Sequence, residues 1–130
     1  MILDTSFLID LFRDRRTAFE KGVRLAERQI TQRIPSPVIS ELSYGAALGD
    51  ETERRNVENA IRTYRVVVQA EATARRSGEL LATTDTVSAV TNELRDVDAM
   101  IAAVADVYDE PVLTDNVSDF EALGVDIETY

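Results

Sequence analysis

Met1-Ile2-Leu3-Asp4-Thr5-Ser6-Phe7-Leu8-Ile9-Asp10 opens the chain and sets its architecture. Residues 1–3 form a short apolar run that reads as a buried strand, closed by Asp4. Thr5 or Ser6 can then cap a helix whose inward side carries Phe7, Leu8, Leu11 and Phe12. Further along, residues 17–30 predict a second helix, with Ala18, Val23, Leu25, Ala26 and Ile30 apolar and Glu20, Lys21, Arg24, Glu27 and Arg28 solvated. Ile34-Pro35 reads as at most a strand fragment. Ser36-Pro37 reads as N-cap and N1 proline of a helix carrying Glu41 and ending at Gly49. Asp50 with Glu53 predicts a capping box for a helix over 51–63. The β-branched stretch 64–68 predicts a strand. Residues 71–83 and 86–94 read as helices separated by Thr83-Thr84-Asp85, and 98–108 as another. Strands are expected at 111–114 and 125–127.

Such alternation with short connections implies an α/β fold: a short parallel central sheet covered by helices on both faces, in three layers. Sites in such sheets lie outside the carboxyl ends of the strands. Asp4 and the loop Thr114-Asp115-Asn116-Val117-Ser118-Asp119 both follow strands and so fall at that edge. Asp98 shares a helical face with Ile101 and Ala105, and Glu41 one with Val38, Gly45 and Leu48. One inward carboxylate is usually a helix cap or half of a buried ion pair. Several together, in a chain whose only lysine is Lys21, point to a divalent-metal site.

Composition narrows the chemistry. The 130 residues fit one domain spanning 1–130, large enough to bury about two-thirds of its unfolded surface. No apolar run approaches the length of a membrane span, and no charged-then-apolar leader opens the chain, so the expected location is the cytoplasm. There is no cysteine for a disulfide or thiolate site and no histidine for an imidazole ligand or base. Proton transfer therefore falls to carboxylates, tyrosines, Lys21 or metal-bound water. Oxygen-only ligands select Mg²⁺ or Mn²⁺ over zinc. Such ions activate water for attack on a phosphodiester. Net charge is −10, with 13 arginines and one lysine. Acid excess with almost no lysine suits molar salt, where the Debye length is about 3 Å, and suggests a halophilic, archaeal source. A phosphate-binding chain of this charge cannot rely on bulk attraction and needs local arginines or metal ions.

The motif set resembles the PIN-domain nucleases, and within them the VapC-type toxins of toxin–antitoxin pairs. The resemblance covers nearly the whole chain. It rests on the opening ten residues, on Pro37-Val38-Ile39-Ser40-Glu41-Leu42-Ser43-Tyr44-Gly45-Ala46, on Asp98-Ala99-Met100-Ile101-Ala102-Ala103 and on Leu113-Thr114-Asp115-Asn116-Val117-Ser118-Asp119-Phe120. It implies a PIN-like three-layer α/β/α sandwich and Mg²⁺- or Mn²⁺-dependent endoribonuclease activity on RNA. Asp4 and Asp98 become the principal metal ligands, and Glu41 a ligand directly or through water. Ser6 adds a hydroxyl that holds a carboxylate or water, or simply caps its helix. The fourth acid stays open: Asn116 occupies a position often acidic or amide in relatives, Asp119 matches the acid before Phe120, and Asp115 stands where relatives often carry arginine. Asp10, Asp96 and Asp106 read as surface or capping residues.

The resemblance also implies an antitoxin partner whose C-terminal segment crosses the acidic cleft, and a homodimer. Tyr44, Leu48, Val57 and Ile61 offer either that dimer surface or intramolecular core. Other classes fit less well. A receiver domain needs a lysine after a late strand, and Lys21 is misplaced for this. A haloacid-dehalogenase-type phosphatase needs a second acid at position 6, where Ser6 stands. A non-catalytic PIN-like RNA- or protein-binding domain would have no use for the full acidic set. A stand-alone RNA-processing PIN nuclease differs from the toxin only in lacking an inhibitor.

Overall fold

A computed structural model describes residues 1–87 and 96–130. In chain order the elements are β1 (Ile2–Leu3), α1 (Thr5–Phe12), α2 (Arg16–Glu27), β2 (Arg33–Pro35), α3 (Ser36–Leu48), α4 (Glu51–Thr63), β3 (Arg65–Val67), α5 (Glu71–Val87), α6 (Asp96–Tyr108), β4 (Val112–Leu113), α7 (Val117–Ala122) and β5 (Ile127–Glu128). The strands form one parallel sheet in the order β3-β2-β1-β4-β5. Ile2 pairs with Arg33 on one side and with Val112 on the other, and Leu3 pairs with Leu113. Successive strand residues face opposite sides of a sheet. Because Ile2 and Leu3 are both 0% exposed, as are Val112 and Leu113, both faces of the centre are covered. The expected α/β/α sandwich is what forms.

Helix α6 lies against β1, β4, α3, α5 and α7. Its run from Asp98 to Ala105 is buried apart from Met100, and the small side chains of Ala99, Ala102, Ala103 and Ala105 let neighbouring elements approach closely. The capping box at α4 is present in full, with Asp50 accepting from the Thr52 and Glu53 amides and the Glu53 carboxylate accepting from the Asp50 amide. Glu110 receives hydrogen bonds from the Met1 amine and from Arg33 Nε. Burial pushes its pKa up, but these two cations outweigh burial and hold it below the usual value. No helix among the described residues is long and apolar enough to cross a membrane.

Several local expectations are overturned, some by a distant partner and others by the backbone's own geometry. Ile34-Pro35 is no fragment: β2 is a full member of the sheet, paired with β1 and β3. The Ser36 hydroxyl does not cap α3. It accepts the Gln69 amide at 3.0 Å and ties the exit of β3 to the start of α3. No break occurs at Thr83-Thr84-Asp85, since α5 runs through to Val87. Thr83 and Thr84 donate back to the carbonyls of Glu79 and Leu80, both at 3.0 Å, so their hydroxyls are satisfied inside the helix. Most of the helix expected over 86–94 lies outside the described residues. Gly124 turns left-handed (φ 72°) at the end of α7, and the last strand begins only at Ile127, where pairing with Val112 starts. Lys21, expected in solvent, is buried on Glu128 and the Thr129 carbonyl. Val23 and Ile30, read as apolar positions of the second helix, are exposed, and so are Leu48 and Tyr44, left open between dimer surface and core, by 75% and 72%. Val57 and Ile61 instead pack into the core.

Candidate functional site

Parallel pairing brings the carboxyl ends of β1 and β4 side by side, so Asp4 and Thr114 are neighbours. Asp4 is only 4% exposed. Its Oδ2 accepts from Ser6 Oγ and from Thr114 Oγ1, each at 2.7 Å. Thr114 Oγ1 in turn accepts the Asn116 amide at 2.9 Å, and Ser6 Oγ accepts the Asp115 amide at 3.3 Å. The two strand-end loops are thus laced together through one carboxylate. Neither Thr5 nor Ser6 caps α1, contrary to the sequence expectation: Asp4 is the N-cap residue and the hydroxyls point elsewhere.

Thr5 Oγ1 donates to Glu41 Oε2 at 2.5 Å, drawing the second turn of α3 to the same edge. Asp98 enters from the first turn of α6 and is 7% exposed. Helices that cross between parallel strands run antiparallel to them and start at the carboxyl edge. Helix α6 feeds β4 and packs on both β1 and β4, which sets its first turn at the edge that carries Asp4. A carboxylate there also faces the favourable end of the helix dipole. Asp119 lies in the first turn of α7, with its carboxylate accepting from Asn116 Nδ2 at 2.8 Å and from Ser118 Oγ at 3.4 Å. Asp115 is exposed beside the same loop. Asp10 contacts Arg15 and the Tyr130 phenol, and Asp106 pairs with Arg76, in keeping with their reading as surface acids.

In sequence Thr5 reads as a cap and Thr114 as a strand end, yet both are donors to the site's carboxylates. Each is a hydroxyl one residue from a strand–loop junction, which is the available signal; the acceptors lie 36 and 110 residues away. Among the described residues, Asp4 has no ion-pair partner. Nor do any three Asp or Glu side chains there converge as a ready-made metal cage. The donors at this edge are carboxylate and hydroxyl oxygens. They fit a Mg²⁺-type ion, which keeps several waters and is held by one or two carboxylates plus substrate phosphate.

Comparisons with known proteins bear on the fold and the family. No curated protein matches the chain in sequence. Among solved structures, a chain of DNA-bound VapBC from Salmonella typhimurium is 26% identical, with TM-score 0.81, covering 98% of this chain and 96% of that one. A chain of VapBC2 from Rickettsia felis, bound to a promoter DNA fragment, superposes at TM-score 0.84 with 17% identity and the same coverages. VapC20 of Mycobacterium tuberculosis, a toxin that cleaves the sarcin–ricin loop, is 23% identical at TM-score 0.68 over 95% of each chain. The PIN domain family model matches residues 1–125, nearly the entire sequence, and the chain belongs to that family.

Proposed function

We propose that this chain is a Mg²⁺- or Mn²⁺-dependent endoribonuclease, the toxin of a toxin–antitoxin pair acting in the cytoplasm. The observation that carries the reading is Asp4: a buried carboxylate held by two hydroxyls, with no cation paired to it among the described residues. Burying a charge without a counter-charge is costly, and an added cation relieves that cost. Asp4 and Asp98 would be the principal ligands, with Glu41 a further ligand directly or through water. A divalent ion bound there supplies Lewis acidity and a lowered pKa for its water.

The remaining work belongs to the chain. Ser6 and Thr114 set the orientation of the Asp4 carboxylate, and Thr5 sets that of Glu41. Asn116 holds Asp119 at the rim, where it is the candidate fourth acid. RNA must be drawn in by the metal and by local arginines, since a charge of −10 offers no general attraction.

A groove of about 510 Å³ beside α1, α3 and α4 supports an inhibitory partner. Ile9, Phe12, Leu42, Ala46 and Val57 give it an apolar floor, and Glu41 borders it. An antitoxin segment with apolar side chains and an arginine would fill the floor and pair with the carboxylates, competing with metal. Tyr44 and Leu48, exposed on α3, are the surface we assign to a homodimer. The expected result is RNA cleavage that requires Mg²⁺ or Mn²⁺, stops with EDTA, and is silenced when the chain is co-expressed with its genomic neighbour. Metal-independent cleavage would overturn the nuclease mechanism. Active enzyme with no complex and no relief of toxicity would leave a stand-alone RNA-processing nuclease.

We further propose that the acidic surface is an adaptation to high salt. Melting temperature should then rise substantially between about 0.1 M and 2 M KCl as carboxylate repulsion is screened. A flat profile would leave the charge without that explanation.

A further inference from the structure

The turn between α1 and α2, Arg13-Asp14-Arg15-Arg16, holds three of the chain's 14 basic residues, and no other four-residue stretch holds as many. Helix formation does not account for them. Arg15 is the N-cap of α2 and Arg16 its first residue, with no acid in the first turn and no side-chain cap on its amides. Cations there oppose the positive end of the helix dipole and cost the helix a little stability. Nor do ion pairs inside the chain use up the three. Arg13 is exposed and makes no ion pair among the described residues. Arg15 reaches Asp10 only at 3.8 Å, with its side chain 65% exposed. Arg16 is bound to Glu20 at 2.6 Å, but that pair also stands in water, where such pairs contribute little.

The turn lies within reach of the acidic site. Helix α1 starts at its N-cap Asp4 and ends at its C-cap Arg13, roughly 13 Å away at about 1.5 Å per residue. A stacked nucleic-acid strand covers that distance in a few nucleotides. Arg13 borders the groove that Glu41 also borders. Arg15 leans instead on Asp10, whose carboxylate also accepts the phenol of Tyr130, two residues beyond β5. Strand β5 pairs with β4, and Thr114 at the end of β4 donates to Asp4. We propose that Arg13 and Arg15 form a phosphate clamp for an RNA strand, with Arg16 behind them, holding it a few nucleotides from the phosphate at the acids. Carboxylates at the site repel RNA until a cation neutralises them, and a net charge of −10 supplies no attraction at a distance. The turn supplies it locally, and guanidinium forks match phosphate oxygens in pairs.

This inference rests on the nuclease reading for its substrate, and the test keeps the two apart. Binding of a fluorescent oligouridylate is measured in EDTA, where metal-dependent cleavage cannot run, between about 50 and 200 mM KCl. The chains are wild type, Arg13→Ala with Arg15→Ala, Arg13→Lys with Arg15→Lys, and Arg75→Ala on α5 as a control for charge alone. Cleavage in Mg²⁺ is followed separately. Losing two phosphate contacts should flatten the plot of log K against log[KCl] by about 1.4, at about 0.7 per contact on a single strand, and raise Kd about tenfold at the lower salt. Both side chains are exposed, so the melting temperature should not fall. The lysine pair keeps the charge and should keep the slope, and Arg75→Ala should change neither slope nor Kd. An unchanged slope in the alanine pair would overturn the clamp, as would an equal loss in Arg75→Ala or the absence of salt-dependent binding by the wild type. Unchanged RNA binding with lost capture of the neighbouring gene's product would give the turn to a protein partner instead. A clamp confirmed in a chain that cleaves nothing in Mg²⁺ would sink the nuclease reading alone. Normal cleavage with an unchanged slope would sink the clamp alone.

Discussion

Asp4→Asn and Asp98→Asn are each expected to lower Mg²⁺-dependent RNA cleavage by about a thousandfold, roughly 4 kcal/mol of transition-state stabilisation. Both carboxylates are nearly buried at the carboxyl edge of the sheet, and each amide replacement removes the negative charge a divalent cation needs. Stability should barely suffer. The amide oxygen at position 4 can still accept from Ser6 and Thr114, and removing one acid relieves repulsion on its neighbours. Asp98→Asn gives up a favourable interaction with the dipole of α6, worth up to about 2 kcal/mol for a buried carboxylate and offset by the relieved repulsion. Parallel purification and single-turnover cleavage assays check this. Undiminished activity in Asp98→Asn, with contaminating ribonuclease excluded, would refute the assigned site.

Phe120→Ala is expected to cost about 3–5 kcal/mol of folding stability, the usual range for emptying a buried aromatic site. Phe120 is fully buried on α7, a helix of only six residues whose N-cap Asn116 makes no side-chain cap. A helix that short does not persist by itself, and Phe120 and Leu123 are what fasten it to the core. The loss therefore reaches function: Asn116 and Asp119 sit at the start of α7 and should lose their mutual orientation along with it. Urea titration gives the stability change. A shift below about 1 kcal/mol would mean that other contacts hold α7 and would overturn this view of the loop.

Residue types and their spacing determined the alternation of strands and helices, and with it the parallel sheet and the edge where Asp4 and the Thr114 loop meet. They also determined the Asp50–Glu53 capping box, whose partners lie three residues apart and need no other chain segment. Short-range order of this kind is legible because both partners are written together. The hydroxyls were not legible in this way. Thr5, Ser6 and Ser36 all stand where a helix cap is expected, yet Thr5 serves Glu41, Ser6 serves Asp4, and Ser36 serves Gln69. A hydroxyl chooses between a local amide and other partners, and for Thr5 and Ser36 only the folded chain brings the distant one, the Glu41 carboxylate or the Gln69 amide, within reach. Lys21 follows the same rule: on an isolated helix it belongs in water, and the ends of β5 gave it a reason to be buried. The acids could be read from the sequence as candidates. Which groups hold them, and at what angle to one another, was decided by strand order and by residues up to 110 positions apart, because hydrogen bonds are short and directional while the chain that must supply them is long.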